Sequence, residues 1–188
     1  AADSSFTHSS RVIVTVANFR EQKAYPDLLD VARRVIQTNP TVMFLLVGYG
    51  PLEVEMRSLA QRMGLADRVR FLGYRPDVMR ILSASDIFTL ASHYEGGPLA
   101  VMEAMAAGLP IVSTSVGFVP DLITDRVDGL VVPPRRPDLL AGRIEELLSD
   151  PQQRQALGAA AAARSAGFDV TASVRHIEQT YQDLLRGK

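Results

Sequence analysis

Hydrophobic and polar positions along the chain fall into two alternating kinds of run. Val12-Ile-Val-Thr-Val-Ala17 is β-branched and apolar on both faces, the pattern of a strand covered from both sides. Asp27 to Gln37 instead shows helical spacing, with Leu28, Leu29, Ala32, Val35 and Ile36 on one stripe and Asn39-Pro40 as its stop. The alternation repeats downstream. Val42 to Val47 predicts a second strand, then Gly48-Tyr49-Gly50-Pro51 and a helix to about Met63 that Gly64 closes. Val69 to Leu72 predicts a third strand and Asp77 to Ser83 a helix. Ile87 to Leu90 predicts a fourth strand, Leu99 to Ala107 a helix, Leu109 to Thr114 a fifth strand, Val119 to Thr124 a short helix and Gly129 to Val132 a sixth strand. Beyond Pro133-Pro134 the strands stop, and Pro137 to Leu148 and Pro151 to about Ser165 read as helices. A last amphipathic helix is expected over Ala172 to Leu185, with Val174, Ile177, Tyr181 and Leu184 on one face. Strands that alternate with helices and are apolar on both faces predict an α/β fold, a doubly wound parallel sheet of about six strands.

In such a sheet ligands bind beyond the carboxyl ends of the strands. The informative residues are therefore those just after each strand: 18–23, 48–51, 73–76, 93–99, 113–119 and 133–134. The stretch from Ala91 to Pro110 is the densest. Gly96-Gly97 offers a free backbone, Pro98 suits a helix start, and Gly108 suits a left-handed stop. Glu95 lies at the strand end. Glu103 lies in the helix among Val101, Met102, Ala104 and Met105, where a carboxylate must face water, a partner or a ligand. A helix start beside a glycine turn also attracts anions. Together these features point to phosphate held on backbone amides and sugar hydroxyls held on carboxylates.

Composition narrows the function classes. The 188 residues carry a net charge of −1, which leaves no electrostatic footprint for nucleic acid and no polybasic membrane patch. Without cysteine there are no disulfides or thiolate metal sites, and a cytoplasmic location is expected. No metal-ligand spacing, nucleophile elbow or P-loop occurs. His93 reads as a locally bonded residue, His8 as part of the tail, and His176 as a residue of the last helix.

The post-strand residues resemble the C-terminal, donor-binding domain of retaining GT-B glycosyltransferases of the group 1, or family 4, class. The likeness runs from about Arg11 onward and is most specific at Glu95 and Glu103, a Glu-x7-Glu pair set in Glu-Gly-Gly-Pro-Leu-Ala-Val-Met-Glu-Ala-Met-Ala-Ala-Gly-Leu-Pro. Val47 to Pro51, Val69 to Gly73 and Asp128-Gly129-Leu130 support it.

The resemblance implies a Rossmann-like domain that forms one half of a GT-B architecture. Residues 1–10 would be a linker or tail, 11–168 the nucleotide-sugar-binding domain, and 169–188 a helix crossing to an acceptor-binding N-terminal domain that these residues lack. Any peripheral membrane association would come through that other half. The donor would be a UDP-, GDP- or ADP-linked sugar, with no cofactor and no metal. The family assigns Glu95 to the sugar, Glu103 to the ribose, and the amides of Gly96, Gly97, Pro98 and Leu99 to sugar and phosphate oxygens (Pro98 has no N–H of its own). Gly48, Gly50 and the Tyr74-Arg75-Pro76 segment would line the base pocket, mostly through backbone atoms, and Lys23 would neutralise the diphosphate. The family's arginine slot holds Asn18, so either Arg20 reaches back to the phosphates or the site has one cation fewer. An isolated Arg-x-x-Lys is ordinarily a solvated loop, and a glycine after a strand is ordinarily a turn. Alone, the 188 residues would bind donor weakly and transfer little. A module with a decayed donor site, or one half of a sugar-nucleotide epimerase, are the competing readings.

Overall fold

A computed structural model describes residues 10–168. The expected tail before Ser10 and the expected helix over Ala172 to Leu185, with His8 and His176, lie outside the described residues. Six strands form one parallel sheet: β1 (Val12–Val16), β2 (Met43–Val47), β3 (Val69–Gly73), β4 (Ile87–Leu90), β5 (Ile111–Thr114) and β6 (Leu130–Val132), in the order β3-β2-β1-β4-β5-β6. The doubly wound sheet expected from the pattern is thus present, and its order places a topological switch point between β1 and β4. There, Ile13 lies beside Ile87 and Val14 beside Phe88.

Helices cover both faces. α1 (Tyr25–Thr38), α2 (Glu53–Arg62) and α6 (Pro137–Ser149) share one apolar cluster with Ile13, Phe44 and Ile87. α3 (Val78–Ser83), α4 (Leu99–Ala106) and α5 (Val119–Leu122) share the other with Val14, Phe88 and Ile111. α7 (Pro151–Ser165) closes the set, with Leu157 in the first cluster and Ala161 in the second. The odd and even residues of a strand therefore serve different cores, which is why most of the runs are apolar on both faces. No described helix is long and apolar enough to cross a membrane.

Boundaries move where tertiary contacts decide them. α1 starts at Tyr25, two residues earlier than its spacing predicts, because buried Ala24 adopts a left-handed conformation (φ 47°) and caps the helix. Tyr25 stacks on Phe19 with ring centroids 4.1 Å apart and donates its hydroxyl to the Ala17 carbonyl at 2.8 Å. Burial, and secondarily Glu53, raise the pKa of that phenol, so it stays a donor. α4 ends as its glycine predicts: Gly108 (φ 74°) donates to Met105 and Leu109 donates to Ala104, a Schellman closure. α7 seats on this corner through Gly158, where a Cβ would stand 2.3 Å from the Gly108 carbonyl oxygen.

Thr89, in the centre of β4, is fully buried and its hydroxyl has no hydrogen-bond partner. Replacing it with valine removes an unsatisfied polar atom at nearly constant shape, so Thr89→Val should raise unfolding stability by about 1 kcal/mol in urea titrations.

Candidate functional site

The sequence after β1 sets the first wall. Phe19 is driven into the core, where it meets Tyr25 and Phe71. The chain then closes a short 3-10 turn (Glu21–Lys23), with the Lys23 N–H donating to the Arg20 carbonyl at 3.0 Å. This turn brings Lys23 back over the end of β1 and leaves Arg20 exposed, away from the cavity described below. Of the two cations after β1, Lys23 lines that cavity and Arg20 does not.

The second wall is the loop from β4 to α4. Glu95 is 4% exposed and accepts two hydrogen bonds from Lys23 Nζ, both at 2.7 Å, and one from Ser92 Oγ at 2.5 Å. Lys23 is itself 17% exposed. Two further contacts join these loops: the His93 N–H donates to the Gln22 carbonyl at 2.8 Å, and His93 Nε2 lies 2.7 Å from Asp27 Oδ2. On its other side the loop meets β5: Thr114 Oγ1 donates to the Ser92 carbonyl at 2.6 Å, and Gly117 (φ 53°) packs directly under the Glu95 carbonyl.

Between these walls, at the β1–β4 switch point, lies a cavity of about 340 Å³. Its floor is Val16, Ala17, Val47 and Leu90. Asn18 and Lys23 line it from the first loop, Gly48, Tyr49, Tyr74 and Arg75 from the loops after β2 and β3, and Gly97 to Ala100 with Glu103 from the start of α4. Glu103 is exposed and makes no hydrogen bond or ion pair with the described residues, leaving both its oxygens for a ligand.

The expected site residues divide accordingly. Lys23, Glu103, Gly97, Pro98, Leu99, Gly48 and Arg75 line the cavity. Glu95 stands behind Lys23, and Gly96 lies beside the cavity without lining it. Gly50 is not in the wall: a Cβ there would meet the Phe19 backbone at 2.6 Å, so internal packing accounts for it. Gly48 lines the wall but is also obligatory, with φ 140° and a Cβ position 2.0 Å from the Ala17 carbonyl oxygen. Gly97 has neither constraint, since nothing lies within 4 Å of its Cβ position, and the room left there belongs to the cavity. Pro98 caps α4 rather than occupying its first helical position. The Leu99 N–H turns back to the Gly97 carbonyl at 2.9 Å, and the N–H groups of Gly96, Gly97 and Ala100 have no backbone partner among the described residues. Arg75 is held by Asp77 through two bonds of 2.7 Å; that hydrogen-bonded pairing raises its pKa and lowers that of Asp77.

Reasoning from sequence expected the Tyr74-Arg75-Pro76 segment to contribute mainly backbone atoms and gave the Tyr49 side chain no part, whereas both tyrosine rings stand at the cavity. They are 61% and 71% exposed and meet edge to face at 6.0 Å on the rim. For Tyr49, a bulky aromatic between two glycines was the available signal. It also treated Asn18 as a vacancy where the structure has a wall residue, and it gave Ser92 and Asp27 no part.

The family model described as "Glycosyl transferases group 1" matches residues 2–164. N-acetyl-alpha-D-glucosaminyl L-malate synthase of Bacillus anthracis is 30% identical over 183 residues, which cover 96% of this chain and 47% of that protein. A GDP-mannose-dependent monoacylated alpha-(1-6)-phosphatidylinositol monomannoside mannosyltransferase of Corynebacterium glutamicum is 34% identical over 165 residues, covering 82% and 42%. The chain thus spans about half the length of the curated relatives it matches. Among solved structures, Anabaena Alr3699/HepE in complex with UDP and glucose superposes with a TM-score of 0.86 at 26% identity, covering 93% of this chain and 48% of that one. The C-terminal domain of a group 1 family glycosyl transferase (LpcC) from Francisella tularensis, 23% identical, shares the fold at a TM-score of 0.77, covering 85% and 87%.

Removing one member of the buried pair strands the other. Lys23→Met should lower stability by about 2–4 kcal/mol in urea unfolding, and adding Glu95→Gln should restore most of the loss.

Proposed function

The chain belongs to the glycosyl transferases group 1 family, and on that premise we propose that the crevice at the β1–β4 switch point holds the nucleotide-diphosphate end of an activated sugar. One observation carries this reading: a carboxylate with no partner among the described residues, Glu103, and an ammonium, Lys23, line a single cavity at the start of α4. A carboxylate with two open oxygens suits the paired hydroxyls of a ribose. An ammonium and the N–H groups of a helix-start turn suit a diphosphate. The exposed faces of Tyr49 and Tyr74 suit a base. The nucleotides named for relatives, UDP for the Anabaena protein and GDP-mannose for the Corynebacterium one, are of this class.

In the proposed reaction the bond from the sugar's anomeric carbon to the diphosphate breaks as negative charge grows on the leaving oxygen. Lys23 and the Gly96 and Gly97 amides stabilise that charge without a metal ion. The acceptor hydroxyl attacks from the face the diphosphate leaves and gives its proton to a phosphate oxygen, so configuration is retained. Glu95 enters by exchange: once the diphosphate takes a donor from Lys23, a Glu95 oxygen is released to a sugar hydroxyl. These residues form the C-terminal, donor-binding half of a GT-B enzyme, and the 188 residues alone transfer little. The sparse cationic lining, with Arg20 outside and Arg75 engaged by Asp77, is what favours the alternative of a binding module without turnover. A transfer assay on the chain joined to its acceptor-binding half separates the two.

A thermal-shift panel of UDP-, GDP- and ADP-sugars should give a melting shift with at least one base, and chelation with EDTA should leave that shift unchanged. Glu103→Ala should weaken binding of the selected nucleotide by about tenfold, or about 1.4 kcal/mol, in calorimetry while leaving unfolding stability within about 0.5 kcal/mol. Equal affinity in the variant would remove its ribose role.

A further inference from the structure

Lys23 is one of two lysines in a chain whose Lys and Arg total 20; the other is Lys188. An ammonium has three donors and no fixed plane, so its direction is set by whatever holds its stem and its partners. The pair with Glu95 uses Lys23 Nζ at 2.7 Å to each carboxylate oxygen. Two other contacts bracket that pair without touching the cavity. The His93 N–H donates to the Gln22 carbonyl at 2.8 Å, and His93 Nε2 lies 2.7 Å from Asp27 Oδ2 in the first turn of α1. Gln22 and Asp27 flank Lys23 in the sequence, and His93 stands two residues before Glu95. His93 lines a separate hollow together with Glu21, Asp27 and Glu55 and does not line the donor crevice.

We infer that His93 is a positioning residue for Lys23. Through Asp27 and the Gln22 carbonyl it locks the turn that carries Lys23 against the loop that carries Glu95, so the ammonium stands in the crevice wall instead of swinging into solvent. The consequence for phosphate rests on the reading of the crevice as a donor site, but the tether itself does not.

Amine acylation read by peptide mass spectrometry tests the tether in the ligand-free 188-residue chain, with Lys188 as the internal reference. Lys23 should react slowly in the wild-type protein. His93→Ala should raise its rate relative to Lys188 by about fivefold, Asp27→Ala should do the same, and the double substitution should add nothing to either. His93→Gln, which keeps an N–H donor within reach of Asp27, should stay within about twofold of wild type. An unchanged Lys23 rate in a folded His93→Ala protein overturns the inference, as does additivity of the two substitutions. Asp27→Ala alone decides the question if His93→Ala does not fold. A second arm measures binding of uridine, UMP and UDP and their guanosine counterparts by calorimetry. His93→Ala should leave the nucleoside unaffected and weaken the diphosphate by about fivefold. Equal loss across the series marks a merely structural role and overturns the positioning. If the wild-type chain binds none of these compounds, the donor-site reading fails while the labelling comparison still decides the tether.

Discussion

The functional end of this molecule depends on a constraint of its topology. β1 and β4 are neighbours in the sheet, yet the chain leaves them toward opposite faces, into α1 on one side and α4 on the other. A parallel sheet must open a crevice wherever this happens. The loops that border the crevice would be free to drift apart but for the contacts across it: the Lys23–Glu95 pair, the His93–Asp27 contact and the Gln22–His93 hydrogen bond. A buried ion pair is weak evidence of net stabilisation, because desolvation offsets most of its attraction. Its effect here is geometric. It joins two loops that the backbone sends in different directions, at the level where the cavity begins.

Support for this arrangement comes from positions far from any ligand. Phe19 and Tyr25 stack in the core beneath the first loop, and the Tyr25 hydroxyl fixes the Ala17 carbonyl in the cavity floor. Gly117 lets the loop after β5 run directly under the Glu95 backbone. Gly158 lets α7 seat against the glycine stop of α4, the helix that carries Glu103. Close backbone approach, rather than side-chain chemistry, is what most of these glycines supply. Gly97 differs in kind: the protein's own packing leaves the space beside it open, and that space is cavity.

Much of the fold was legible in the sequence because burial on both faces leaves a mark that needs no partner to read. A parallel strand with a core on each side must be apolar at odd and even positions, and most of the six strands are recognisable on that basis, the edge strand β3 with Arg70 being the exception. Helix ends were legible where a local device sets them, as at Gly64 and Gly108. They were not where a distant contact decides: α1 begins early because Ala24 is held in a left-handed turn that the Phe19–Tyr25 stack secures, which no local preference for alanine would predict.

For the site, the sequence by itself determined which residues come together, since everything just after a strand in a doubly wound sheet arrives at one edge. Glu103, Lys23 and the start of α4 converge for that reason. It could not determine what each side chain does on arrival. Lys23 was the expected cation and Arg20 an open alternative, and only the burial of Phe19 and the turn that follows it send Arg20 outward and Lys23 into the wall. Glu95 and Glu103 formed one motif, yet Lys23 and Ser92 engage the first while the second has no partner among the described residues. Strand position is a property of the local pattern, whereas the pairing of one charge with another depends on distances between segments about seventy residues apart, and those exist only once the chain has folded.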